Sequence, residues 1–255
     1  MIRGTAALIA LLWAGQAGAV TCERVAHEDW RYTVCEVDAT TEDLRLFLYD
    51  DAGQVLGHFS SVNEELADAG QRLSFAMNAG MYHEDRSPVG HYVEDGQELM
   101  RVIPNAGPGN FGLLPNGVFC IREGRADVFE TLDYLDRKPE CRFATQSGPM
   151  LVIDGELHPR FLKDSTSRYV RNGVGTSADG SRAVFVISED YVTFHEFGRL
   201  FRDVLNTPNA LFFDGNISRM YDRAANRSDV ACVQCASPCR KPASTSAGVA
   251  PRNSS

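Results

Sequence analysis

Residues 193–218, TFHEFGRLFRDVLNTPNALFFDGNIS, read as a helix, a strand and a polar loop in that order. Thr193-x-x-Glu196 is a capping box: the Thr hydroxyl and the Glu carboxylate each satisfy an orphan backbone N–H of the first turn. Phe194, Phe197, Leu200, Phe201, Val204 and Leu205 then recur at helical spacing, and Asn206-Thr207-Pro208 ends the run. The four apolar residues Ala210 to Phe213 follow as a strand that stops at Asp214-Gly215-Asn216. The same order occurs once before. Ser61-x-x-Glu64 predicts a second capped helix with Gly70 as its stop, and LSFAM (residues 73–77) then runs into Asn78-Ala79-Gly80. Polar residues at the C-terminal ends of helix-fed strands are where folds of this kind place chemistry.

Around these two units the chain reads as β-structure. Asp95-Gly96, Asn116-Gly117, Glu123-Gly124, Asp154-Gly155 and Asp179-Gly180 each separate apolar runs, and such pairs supply the positive φ of two-residue hairpin turns. Strands are expected over 30–37, 44–49, 73–77, 118–122 and 183–187. The expected fold is α+β, a mostly antiparallel or mixed β-sheet core with two or more packed helices, stapled by disulfides.

Length and composition bound the rest. The chain has 255 residues and a formal net charge of −9, with 44% hydrophobic and 23% charged residues. That is a globular mixture, and its acidity excludes a nucleic-acid binder, which needs a basic surface to displace phosphate counterions. Met1-Ile2-Arg3, the apolar run 6–14 and Ala17-Gly18-Ala19 have the form of a cleaved signal peptide over 1–19. The apolar run is well short of the ~20 residues of a spanning helix, so no integral membrane segment is expected in the mature chain. Thr21, before Cys22, is too bulky for a lipoprotein signal. Residues 20–236 are expected to form a single domain, followed by a disordered polar tail over 237–255. Localisation is expected to be periplasmic or extracellular.

Export changes how the seven cysteines are read. In an oxidising compartment most should pair. Cys232-x-x-Cys235-x-x-x-Cys239 would suggest a metal or iron–sulfur site in a reducing compartment, but no fourth sulfur or nearby His completes one. A disulfide staple is the simpler reading, with the connectivity left open. No cofactor and no metal site is expected.

Several motifs fail on inspection. His195-Glu196 lacks the second His of a zinc-protease helix, since Arg199 stands there. The Gly107–Gly112 stretch contains no Lys and is interrupted by Pro108, so it is not a phosphate loop. Other residues remain as candidates, each beside a plainer reading. Arg171, in Arg171-Asn172-Gly173-Val174-Gly175, can present a two-pronged cation to an oxyanion or be a surface residue in a hairpin. Ser147, in Gln146-Ser147-Gly148-Pro149, can be a nucleophile or a turn residue, and the Gly-x-Ser-x-Gly elbow is absent. Asp214, where an apolar strand meets a polar loop, can be a general acid with a raised pKa or the cap of the following turn.

Taken in order, these segments resemble the phosphodiester glycosidase family, which includes the lysosomal uncovering enzyme and many exported bacterial proteins. Asn78-Ala79-Gly80-Met81-Tyr82 is similar to the family's Asn-Gly-Gly-Phe-Phe, and Pro88-Val89-Gly90 to its Pro-x-Gly. Ser147-Gly148-Pro149-Met150-Leu151 resembles its Gly-Pro-x-Leu strand and Arg171 to Gly175 its Arg-x-x-x-Gly. Phe213-Asp214-Gly215-Asn216-Ile217-Ser218 resembles its Leu-Asp-Gly-Gly-Gly-Ser. The match runs from Leu73 to Tyr221, with Ala79, Asn216 and Ile217 standing where the family has glycine, changes that narrow the room for a sugar ring.

The resemblance implies an exported glycosidase that hydrolyses a sugar-1-phosphodiester of a glycan or glycolipid, releasing sugar and phosphomonoester. It implies roles for Asp214 as acid or base, for Arg171 on the phosphodiester, and for Asn78, Gly80, Ser147, Asn216 and Ser218 in substrate binding. Glu189 or Asp190, with Asp190 preferred, would be the second carboxylate that an oxocarbenium-like transition state favours. Asn78, Arg171, Asp214 and Ser218 are expected to converge on one cleft. The competing class is a non-catalytic envelope module that binds glycan or protein on the same scaffold.

Overall fold

The structure, a computed structural model, describes residues 20–215 and 217–229. The expected signal peptide, the polar tail, Asn216, Cys232, Cys235 and Cys239 lie outside the described residues.

The chain opens with β1 (Thr21–His27) and β2 (Trp30–Asp38), and α1 (Phe59–Asp68) leads into β3 (Phe75–Met77). Next come β4 (Tyr92–Glu94), β5 (Gln97–Met100), β6 (Gly117–Arg122), β7 (Arg125–Glu130) and α2 (Thr131–Arg137). They are followed by β8 (Phe143–Ser147), β9 (Met150–Ile153), β10 (Glu156–Leu157), β11 (Asn172–Thr176) and β12 (Arg182–Ser188). Finally α3 (Phe194–Arg199), prolonged by a π-helical turn over Leu200–Val204, feeds β13 (Asn209–Asp214), and β14 (Met220–Asp222) and β15 (Arg227–Ser228) follow.

A seven-stranded sheet has the order β1-β2-β12-β11-β13-β9-β10, a five-stranded sheet β5-β4-β8-β6-β7, and a small sheet β15-β14-β3. Every pairing among the described strands is antiparallel. The fold is therefore α+β with an antiparallel core. Period-two alternation gives each large sheet two apolar faces. Phe119, Ile121 and Val128 of the five-stranded sheet meet Val37, Phe185, Leu211 and Phe213 of the seven-stranded one. The opposite face of the seven-stranded sheet packs Val184, Val186 and Phe212 under Phe197, Leu200 and Phe201 of the α3 segment. Tyr134 of α2 covers the outer face of the five-stranded sheet. The layers run helix, sheet, sheet, helix.

Two disulfides fasten this arrangement: Cys22–Cys35 directly across the β1–β2 hairpin, and Cys120–Cys141 from β6 to the segment before β8. Glycine permits one close approach. A Cβ on Gly173 would lie 2.5 Å from the Leu211 carbonyl oxygen and one on Gly175 2.5 Å from Thr207 Oγ1, so β11 can lie tight against β13 and the turn before it.

Local signals succeeded unevenly. The Thr193/Glu196 capping box is present in full, and Asn206 takes positive φ where that helical run ends. The Ser61/Glu64 box is not used: α1 starts three residues earlier, with His58 as an N-cap that makes no side-chain bond. Residues 44–48 form no strand; Tyr49 makes a single bridge to Val55. Asn116-Gly117 is not a hairpin turn. Asn116 is buried, donates from Nδ2 to the Phe111 carbonyl and accepts from Thr131 Oγ1. The helix α2 was not anticipated; Glu130 caps it by accepting from the amides of Leu132 and Asp133.

Candidate functional site

Strand pairing explains why distant motifs meet. Because β3 and β14 run antiparallel with Met77 opposite Met220, the residue after β3 lies beside the residue before β14. The Arg219 amide accordingly donates to Asn78 Oδ1 at 2.7 Å. On the large sheet Asn172 opposes Asp214 at an irregularity in the β11–β13 ladder, and the Asp214 amide donates to Asn172 Oδ1 at 3.0 Å. Asn172 is fully buried, and its Nδ2 donates to the Asn78 carbonyl at 2.7 Å. Ser218 Oγ lies 2.9 Å from the Asp214 carbonyl and 3.2 Å from Asn172 Oδ1. One asparagine side chain therefore ties together the loops that carry Asn78, Asp214 and Ser218.

Within this network Asp214 Oδ1 accepts from its own loop, from the amides of Gly215 at 2.5 Å and Ile217 at 3.4 Å. Asn78 has both oxygens engaged, while its buried Nδ2 has no hydrogen-bond partner among the described residues. Tyr82 stands close by. Burial raises its hydroxyl above the ordinary value; the positive charge of Arg86 opposes that rise, Asp214 adds to it and Arg219 opposes it. Those charges therefore bear on one point, and the Arg86 guanidinium sits 4.8 Å over the Tyr82 ring.

Arg171 reaches the same loop from the other face of the sheet. It is 1% exposed. Its guanidinium lies 3.7 Å from the Phe194 ring centroid, with Tyr169 and Phe212 slightly farther away. Nε donates to the Val192 carbonyl at 2.9 Å and Nη2 to the Ser167 carbonyl at 3.1 Å. Nη1 has no partner, and among the described residues Arg171 forms no ion pair. Nη1 lies under Gly215, 3.7 Å from the point a Cβ there would occupy. Burial lowers the Arg171 pKa to about 10, with smaller opposing contributions from Tyr169 and Glu196. An unpaired buried cation is costly, and contact with aromatic faces offsets that cost only in part.

The remaining candidates take more structural positions. Ser147 is fully buried and donates to the Phe213 carbonyl at 3.0 Å, joining β8 to β13. Gly80 allows close packing: a Cβ there would sit 2.3 Å from Thr145 Oγ1 and 2.7 Å from the Gln146 carbonyl oxygen. Asp190 follows β12 and accepts from Arg31 through its amide, Nε and Nη2. Those hydrogen bonds hold the Asp190 carboxyl below its usual range. Glu189 accepts from Thr33 Oγ1 at 2.6 Å and from Arg227. Both carboxylates thus face β2, on the far side of β12 from Asp214. Of the expected residues, Asn78, Asp214 and Ser218 share one network, and Gly80 belongs to the Asn78 loop. Arg171 approaches from below, and Asp190 stands apart.

Sequence reading passed over Asn172, Tyr82, Arg86 and Arg219. The first two lie inside quoted motifs and Arg219 directly after one, yet only the pairing of β3 with β14 and of β11 with β13 reveals their setting. Beside them a cavity of about 570 Å³ opens, with Asn78, Tyr82, Arg86, Ile217 and Arg219 among the residues that line it. No group of three or more His, Cys, Asp or Glu residues able to hold a metal ion occurs among the described residues, and no described helix is long and apolar enough to cross a membrane.

Comparison with known proteins places residues 71–241 within the model of the phosphodiester glycosidase family. The chain is 34% identical over 185 residues to the uncharacterized protein YigE of Escherichia coli, a match that covers 72% of each chain. Among solved structures it resembles a hypothetical protein from Synechocystis at a TM-score of 0.52 and 12% identity, covering 80% of this chain and 57% of that one. It also resembles the catalytic domain of zebrafish N-acetylglucosamine-1-phosphodiester alpha-N-acetylglucosaminidase, auto-inhibited by its pro-peptide. That similarity has a TM-score of 0.48 and 13% identity, covering 79% of this chain and 71% of that one.

Proposed function

The chain belongs to the phosphodiester glycosidase family, and we propose that it is an exported hydrolase of sugar-1-phosphodiesters of a glycan or glycolipid. The observation that carries this reading is Arg171. A cation that is 1% exposed, has no carboxylate partner among the described residues and directs an unpaired Nη1 toward the Asp214–Ser218 loop is a site built for an anion. The unpaired Nδ2 of Asn78 supplies a second donor at the same loop. The two disulfides support an oxidising compartment, periplasmic or extracellular.

In the proposed reaction the bond between C1 of the sugar and the phosphate oxygen breaks. The electron pair leaves with the phosphate, water adds its oxygen to C1, and the products are sugar and phosphomonoester. Asp214 takes the proton of the attacking water or stabilises positive charge developing at C1. Arg171 holds the departing phosphate through its guanidinium. Asn78, Gly80, Ser147, Asn216 and Ser218 shape the substrate site, Ser147 and Gly80 by fixing the backbone around it. Asp190, saturated by Arg31, serves as a distant anchor of the β2–β12 end rather than as the second carboxylate.

A second reading, a binding module without catalysis, draws on one observation: Asp214 Oδ1 already caps its own loop. Incubating the purified protein with a panel of sugar-1-phosphodiesters and assaying phosphomonoester release separates the two. Release that depends on Asp214 is expected, and binding without release would establish the module.

A further inference from the structure

The capping box that opens α3 does more than start a helix. Thr193 Oγ1 accepts from the Glu196 amide, and the Glu196 carboxylate accepts from the Thr193 amide, which fixes where the first turn begins. The residues on either side of Thr193 are thereby placed, and both meet Arg171. Before the cap, Val192 exchanges backbone hydrogen bonds with Tyr169, and its carbonyl also accepts from Arg171 Nε at 2.9 Å. After the cap, Phe194 sets its ring centroid 3.7 Å from Arg171 Cζ. The ring is itself held: Phe161 stacks on it at 5.1 Å with 7° between the planes, and Phe212 meets it edge-on at 4.8 Å. Other guanidinium-to-ring approaches among the described residues lie at 4.7 Å or more. Three of the arginines concerned, Arg137, Arg142 and Arg168, have carboxylate partners. The tightest contact thus falls on the buried arginine that forms no ion pair among the described residues.

An aliphatic side chain would fill the same space, but only a ring offers a negative face to a cation taken out of water. We propose that Phe194 is a positioning residue, which holds the Arg171 guanidinium against its face so that Nη1 stays aimed at the Asp214–Ser218 loop. The assignment rests on the glycosidase reading for what Arg171 binds and on the contacts of Phe194 for how Arg171 is held. Nε and Nη2 are tied to the carbonyls of Val192 and Ser167, and the ring supplies the third restraint. A donor already fixed in its bound position loses less freedom when the anion arrives.

Replacing Phe194 with mono-, di- and trifluorophenylalanine keeps the shape of the ring while draining negative charge from its face, so packing is preserved and the cation contact weakens. Two readouts follow the series. Hydrogen exchange of the Arg171 Nε proton, measured by NMR, reports how firmly the guanidinium is held and needs no substrate. It is expected to quicken stepwise, by about fivefold at the trifluoro ring. Kinetics on a panel of sugar-1-phosphodiesters is expected to show KM rising by about the same factor, with kcat within about twofold of wild type. Phe194→Leu, which removes the ring, should extend both trends. A KM that stays flat across the series in an enzyme that cleaves these substrates, whatever the exchange rate does, overturns the positioning role and leaves the glycosidase reading intact. Exchange that quickens along the series in a protein that cleaves none of them upholds Phe194 as the residue that holds Arg171 and overturns the glycosidase reading.

Discussion

Arg171 and Asn172 are neighbours at the start of β11, yet their side chains leave the strand on opposite faces and are treated in opposite ways. Asn172 is satisfied: Oδ1 accepts from the Asp214 amide, and Nδ2 donates to the Asn78 carbonyl. Arg171 is left incomplete, with two carbonyl partners, an aromatic box and one buried nitrogen that has no acceptor among the described residues. A fully satisfied buried polar group fixes a structure, whereas a partly satisfied one stores a demand that a ligand can meet. The two residues divide the work: one assembles the loops, and the other, under the proposed function, meets the anion.

The contrast is broken most severely at Asn172. Asn172→Leu keeps the volume but strips partners from the Asp214 amide and the Asn78 carbonyl, at about 1–3 kcal/mol for each group left buried and unpaired. A loss of about 3 kcal/mol in urea unfolding is expected, together with loss of turnover; a change below about 1 kcal/mol would show that the hub is dispensable.

Arg171 should behave differently. Arg171→Met removes a buried charge, and the Val192 carbonyl keeps its bond from the Tyr169 amide. Stability is therefore expected to stay within about 1 kcal/mol of the parent, as for other buried charges replaced by apolar residues. Phosphodiester affinity should nevertheless fall. Arg171→Lys retains the charge without the fork and is expected to lose ten- to a hundredfold in kcat/KM, about 1.5–3 kcal/mol. If Arg171→Met unfolds the protein while Arg171→Lys is active, the arginine is structural.

Buried histidines should make the fold sensitive to acid. His158 stacks on Phe161, which stacks on Phe194, the ring beneath Arg171. Burial pushes its imidazole below the ordinary value, and it does the same to His91 in the five-stranded sheet. In the unfolded chain each histidine takes up its proton near its ordinary value of about 6.5, before the native state does. Lowering the pH through that window favours unfolding, so stability is expected to be full above about 6.5, to fall below it, and to level off once the native imidazoles protonate. Each histidine contributes at most about 1.4 kcal/mol per pH unit. His158→Phe should flatten the profile measured by thermal unfolding; an unchanged slope would remove His158 from the explanation.

Much of this architecture was legible in the chain. The Thr193/Glu196 box, the apolar period after it and the stop at Asn206 gave α3 and β13, because each signal is local and they agree. Asp154-Gly155 and Glu123-Gly124 gave hairpins for the same reason. The failures had competitors that sequence does not display. Leu44 to Leu48 alternate like a strand but border the cavity instead of a partner strand, and Asn116 spends its side chain on Phe111 and Thr131 rather than on a turn. At the site, Asp214 and Asn78 were identifiable as polar residues ending apolar strands. Asn172 was not, since nothing in Arg-Asn-Gly says which of two neighbours faces which layer. The irregularity between Asn172 and Gly173 in the β11–β13 pairing decides that, and it exists only in the folded chain.

The most direct test of the account is the comparison of wild type with Asp214→Asn on a sugar-1-phosphodiester cleaved by the wild type. The amide can still accept from Gly215 and Ile217 through Oδ1, so the loop should hold, but it cannot take a proton or carry charge. The account predicts kcat lower by about a hundredfold or more with KM changed by less than about threefold, the pattern of an interaction made in the transition state. Wild-type kcat in Asp214→Asn would contradict it.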